Sequence, residues 1–147
     1  MKILALQGKS ILDNSNILLA FSSWLTEVYH AEVIYSSDQS TSREGVIILE
    51  IDKLTIGLII PLNDEGSSER SLETLFNFGC NIMICSSPSA GMPLNWIAAY
   101  LSSKFEIEYF GTNGSIDEAT SRLKDRIDGY ITFERSINRI LNDLTNG

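Results

Sequence analysis

Short apolar runs alternate along this chain with stretches in which apolar residues return every three or four positions. Lys2-Ile3-Leu4-Ala5-Leu6-Gln7 predicts a first strand. Ile17, Leu18, Phe21, Trp24, Leu25 and Val28 then follow at helical spacing and predict a helix over 15–29, with Asp13 or Ser15 as its cap. Glu32-Val33-Ile34-Tyr35 predicts a short strand, and the polar run 36–44 an exposed loop. Apolar runs 46–51 and 54–60, broken by Asp52-Lys53, predict a hairpin whose turn lacks the usual glycine. Beyond Pro61, a helix is expected over 68–78, with Leu72, Leu75 and Phe76 on its inner face and Gly79 as its stop.

The second half continues the alternation. Asn81-Ile82-Met83-Ile84-Cys85 is a continuous apolar strand of the kind found at the centre of a sheet covered on both faces. The loop 86–91 leads to a helix with Pro93 near its first turn, Ile97 and Leu101 on one stripe, and Trp96 and Tyr100 on adjoining ones. Apolar and acidic residues alternate over 105–110, which marks a sheet edge. Ser115 and Glu118 form a capping box for a helix that turns Ala119, Leu123 and Ile127 inward and is expected to end at Gly129. A separate last helix would use Ile137, Ile140, Leu141 and Leu144. Strands alternating with helices imply an α/β fold, a three-layer sandwich around a mainly parallel sheet made mixed by the hairpin, with 1–147 as a single domain.

Composition narrows the function. At 147 residues and 44% hydrophobic the chain is long and apolar enough for a real core. Its formal charge of −8 disfavours nucleic acid and anionic membrane, both of which require a basic surface. The acidic residues are interleaved with Lys and Arg, so they read as a solvated surface rather than as a DNA mimic. Cys80 and Cys85 fall at odd separation on one expected strand and would point to opposite faces, where they do not readily bridge, which favours a cytoplasmic setting. Met1-Lys2 leads straight into a strand without a signal-peptide pattern, and no apolar run approaches the ~20 residues that span a bilayer.

The one motif with chemical content follows the first strand. A phosphate-binding loop needs G-x-x-x-x-G-K-[ST]. Gly8 and Ser15 fall in register with it, but Asp13 replaces the second glycine and Asn14 the lysine. The glycine lets backbone N–H groups close around phosphate oxygens, and the lysine supplies positive charge. Asp13 would instead place a carboxylate there, and two like charges at ~4 Å repel by about 1 kcal/mol even in water.

On these residues, together with 54–64 and with Asn81 to Cys85 and the loop after it, the chain resembles small single-domain bacterial P-loop NTPase-like proteins. The likeness runs over roughly 1–110, by order of elements more than by motif. In such proteins the loop after the cysteine-containing strand often carries an arginine and paired glycines. Ser86-Ser87-Pro88-Ser89-Ala90-Gly91 carries no basic residue. The resemblance therefore implies a P-loop NTPase-like fold with a degenerate phosphate loop, and argues against nucleotide hydrolysis.

The remaining candidates have bland readings beside functional ones. Lys9 is either an exposed loop lysine or a substitute for the lost one. Ser10 and Ser15 would hold Mg²⁺ through a hydroxyl, although a helix cap explains Ser15 equally well. Glu50 follows four apolar residues as a metal-orienting carboxylate would, with Asp52 close behind and Asp64 ending the next strand; edge and turn positions explain all three. Cys85 lacks the arginine that a cysteine phosphatase would need at Gly91, and is better read as a small buried hydrophobe. His30, the only histidine, sits at a helix end, where capping is the usual role, and multi-histidine zinc sites are excluded by count.

The leading expectation is a non-enzymatic, degenerate P-loop domain with no catalytic residue and no cofactor. It would act through a protein partner, as a regulator, an accessory subunit, or a phage or mobile-element factor binding a host protein. Trp96, Tyr100 and Tyr109 are its candidate contact surface. The alternative is an enzyme or sensor of a nucleotide or phosphoryl ligand, ATP or GTP with Mg. Its phosphate site would be Gly8, Lys9, Ser10, Asn14 and Ser15, with Glu50 or Asp64 on the metal. Self-association as a homo-oligomer through the edge strand 105–110 is a third expectation.

Overall fold

The computed structural model describes residues 2–7, 11–37, 44–61, 74–87, 106–111 and 115–146. The described elements are six strands and two long helices, in the order β1 (Lys2–Gln7), α1 (Ile11–Tyr29), β2 (Glu32–Ser36), β3 (Glu44–Ile51), β4 (Leu54–Pro61), β5 (Ile82–Ser87), β6 (Glu106–Gly111) and α2 (Ile116–Asn146). They form one mixed sheet in the order β2-β3-β4-β5-β1-β6. Strands β4, β5, β1 and β6 are parallel neighbours, while β3 runs against both β4 and β2. The acidic alternation over 105–110 does mark an edge, since β6 borders the sheet.

Both faces of the central strands are covered, which explains why β1 and β5 are apolar at every inner position. On one face Leu4, Leu6, Ile56, Leu58, Ile82 and Ile84 pack against Ile17, Phe21 and Leu25 of α1 and Ala119, Leu123 and Ile127 of α2. On the other face Ile3, Ala5, Ile48, Met83 and Cys85 meet Leu75, from a helical turn at 74–77. Gly57 makes this approach close, because a Cβ there would fall on Leu75 Cδ2 and lie 3.0 Å from Cys80 Sγ. Asn81 pins the start of β5: its Oδ1 accepts from Thr55 N–H at 2.8 Å, and its own N–H donates to Thr55 O at 2.8 Å.

Several local expectations change. α1 begins at Ile11 and not at 15, so Asp13 and Ser15 lie inside its first turns and neither is the cap. The C-terminus of α1 behaves as expected: His30 adopts φ +56°, and Ala31 N–H donates to Leu25 O at 3.3 Å, a left-handed helix stop. Val28, counted among the apolar positions of this helix, is exposed. Asp52 closes the glycine-free hairpin in the left-handed region, φ +55°, which a short polar side chain tolerates. Gly79, at φ +69°, does end the turn at 74–77, but Phe76 points outward at 54% exposure. Cys80 precedes β5, so strand alternation does not separate the two cysteines, and Cys80 and Cys85 share one buried cluster as free thiols. The helix expected near Pro93 falls outside the described residues.

The largest difference is at Gly129. One continuous 31-residue helix replaces the two expected. Ser115 Oγ accepts from Glu118 N–H at 3.0 Å and caps it as anticipated. The helix then runs through Gly129, because a mid-helix glycine costs only ~1 kcal/mol, less than the seating of Ile127 and Ile131 against the core supplies. A Cβ at position 129 would meet nothing within 4 Å. Gly129→Ala is therefore expected to stabilise the chain by about 0.5–1 kcal/mol, read as a raised midpoint in urea unfolding.

Candidate functional site

The parallel strands β5, β1 and β6 end side by side, with Gln7 in register with Ser87 on one side and Gly111 on the other. From β1 the chain leaves through α1 toward β2, on the β5 side. From β5 it crosses β1 to reach β6. Adjacent strands whose connections depart in opposite directions form a topological switch point, and in open α/β sheets the crevice beyond such strand ends is where ligands bind. The N-terminus of α1 belongs to this end. Asn14 is fully buried there, Ser15 is 6% exposed, and Asp13 lies in the first turn, where a carboxylate complements the helix dipole.

Among the expected phosphate-site residues, Asn14 and Ser15 are thus helical and buried, whereas Gly8, Lys9 and Ser10 lie outside the described residues. Only three residues separate Gln7 from Ile11, so the span 8–15 is not one loop. Glu50 is exposed and pairs with Thr55, the second residue of β4, and with Glu32 of β2. That position is at the opposite end of the sheet from Gln7 and Ser87. Glu50 and Ser15 are therefore not brought together around one ion. Asp64, Trp96 and Tyr100 fall outside the described residues, and Tyr109 occupies the edge strand in register with Ala5. No group of three or more His, Cys, Asp or Glu able to hold a metal occurs among the described residues. Burial pushes the Cys80 thiol up to about 11, so it is no nucleophile at neutral pH.

A charged cluster ties the β6 edge to α2. Glu108 pairs with Arg126 and, at 3.3 Å, with Lys2, whose Nζ lies 4.9 Å from the Tyr130 ring centroid. The Arg126 hydrogen bond, and then Lys2, hold the Glu108 carboxyl below its ordinary range despite partial desolvation. Its folded value is below its unfolded one, so the contribution is complete above the ordinary carboxylate range and is lost as pH falls through the depressed value. Glu108→Gln is expected to cost about 0.2–1 kcal/mol at pH 7, as for other exposed pairs. The gap from wild type should close in strong acid, checked by urea unfolding across pH.

A second surface was not legible as such. β2 is the other edge strand, and all five of its residues are exposed. Val33 and Ile34 are 49% and 37% exposed. The Tyr35 ring lies 5.1 Å from that of Phe78, and Phe76, on the same short segment, is also exposed. Tyr35 pairs with Ile48, on the sheet face away from α1, so the aromatics gather at that face's outer margin. The sequence signal was the run Val33-Ile34-Tyr35, which reads equally well as a buried strand until strand order is known.

Comparison with protein-family models, with curated proteins and with solved structures found no match to this chain. No helix among the described residues is long and apolar enough to cross a membrane.

Proposed function

We propose that this chain is a non-catalytic docking domain, a degenerate P-loop NTPase-like frame that acts by protein–protein contact. The observation that carries the reading is the aromatic margin of Tyr35, Phe76 and Phe78 beside the exposed edge strand β2. Contiguous apolar and aromatic surface of this kind is characteristic of contact sites, and aromatic side chains dominate binding energy at their centres. The altered positions Asp13 and Asn14 support the same reading, because neither supplies the backbone freedom or the charge that polyphosphate requires.

The test compares tagged wild-type protein with the double variant Tyr35→Glu, Phe78→Glu in capture from an extract of the source cells. Neither side chain is in the core, so the variant should stay folded, with a small loss of stability from the ring contact, while losing the captured protein, and Lys9→Ala should retain it. Capture that is indifferent to the double variant would overturn the proposal. So would Mg-ATP or Mg-GTP turnover that disappears in Lys9→Ala.

The second reading, a sensor or enzyme for a nucleotide or phosphoryl ligand, is favoured by the helix N-terminus of α1 at the switch point. Calorimetric titration with ATP and GTP in the presence of Mg²⁺ decides it. Binding tighter than ~100 μM, about −5.5 kcal/mol, would support it, and absence of heat would remove it.

A further inference from the structure

The far end of α2 carries an apolar stripe that the fold leaves uncovered. In its first half the helix turns Ala119, Leu123, Ile127 and Ile131 onto the core, advancing by four each time. From Phe133 a different stripe begins: Phe133, Ile137, Ile140 and Leu144, spaced by four, three and four, the rhythm of a paired-helix seam. Arg135 reaches Asp52 of the β3–β4 turn at 2.9 Å and lies over the Tyr29 ring, so the helix leaves the body of the fold at that level. Residues 136–146 continue for about 16 Å, and every residue from Arg139 to Thr145 is exposed. Phe133, Ile140, Leu141 and Leu144 are 64%, 58%, 53% and 74% exposed.

We infer that this segment pairs antiparallel with the same segment of a second copy, making the protein a reversible homodimer. Charge favours this occupant. The chain carries −8, yet residues 132–146 set Glu134 and Asp143 against Arg135 and Arg139 and are neutral, so two acidic copies can meet here without net like-charge repulsion. Antiparallel pairing also holds the acidic bodies at opposite ends of the contact, whereas parallel pairing would bring them side by side. The stripe is self-complementary in that sense. Phe133 falls opposite Leu144 of the second copy and Ile137 opposite its Ile140, giving four apolar layers with no like charges facing across the seam. Four exposed side chains at roughly 100 Å² each give about 800 Å² of apolar surface across the pair. With the flanking stems this reaches the low end of specific interfaces, as expected of a dimer that dissociates on dilution. The contact is separate from the aromatic margin at β2 and does not depend on it.

Sedimentation equilibrium of the full chain from about 1 to 200 μM is expected to show a monomer–dimer equilibrium. Ile140→Glu should weaken it at least ~100-fold while leaving the thermal unfolding of the monomer unchanged, because position 140 is outside the core. For polarity, an Ile137→Cys chain is mixed with an Ile140→Cys chain under mild oxidation, and the mixed disulfide should predominate. A monomer at every concentration would overturn the inference, as would a dimer indifferent to Ile140→Glu, which would place the contact elsewhere on the chain. Predominance of like-with-like disulfides would overturn the antiparallel arrangement.

Discussion

Phe21→Ala should destabilise the chain by about 3–5 kcal/mol, the range for removing a fully buried phenylalanine from a core. Phe21 is 0% exposed and sits where α1 meets the sheet, in one cluster with Leu4, Leu58 and Ile84. Its ring lies 5.7 Å from Trp24, which in turn meets Tyr29 edge-on at 5.4 Å, so the loss includes an aromatic contact as well as burial. The neighbours that would have to collapse into the cavity belong to strands held on both sides, which limits relaxation. In a domain of this size the change lowers the melting temperature by roughly 6–20 °C. The expected measurement is calorimetric unfolding of the variant. A cost below about 1 kcal/mol would mean that α1 is not seated on the sheet as described, and with it the placement of Asn14 and Ser15 at the switch point would fall.

Where one backbone element decides a feature, the sequence pattern was enough. β1 is found at Lys2–Gln7 as the apolar run predicts, the hairpin turns at Asp52, and Ser115 caps its helix. Features that depend on how elements meet were not readable in this way. Phe76 was assigned inward by its helical spacing, but the segment touches the sheet along a narrow line at Gly57, so Leu75 is buried while its neighbour is not. Glu50 fits a metal-orienting position by letter, and only the register of β3 against β4 shows it to be at the wrong end of the sheet. The start of α1 was displaced by reading 8–15 as a motif. Ile11 and Leu12 continue the helix, and burial of Asn14 overrides its loop-like character. Strand order was equally hidden, and with it the exposure of β2. A run such as Val33-Ile34-Tyr35 carries no mark that says whether one neighbour or two will pair with it.

Gly57→Val is expected to separate stability from docking in a way that surface variants do not. A side chain at position 57 has no room, since its Cβ would coincide with the space of Leu75, itself fully buried, and crowd Cys80. The strand cannot move away: Gly57 is paired on one side with Ile48 and on the other with Met83. The segment 74–80 must yield instead. Overpacking of this kind costs about 1–3 kcal/mol, lowering the melting temperature by roughly 2–12 °C. Because the displaced segment carries Phe76 and Phe78, the ring contact with Tyr35 should be lost even while the chain remains folded. On the proposed function, Gly57→Val therefore loses stability and partner capture together, whereas Tyr35→Glu with Phe78→Glu loses capture at a smaller cost in stability. Urea unfolding and capture, measured on the same preparations, distinguish the two. A Gly57→Val protein that is destabilised yet captures its partner at full strength would show that the contact does not run through the aromatic margin.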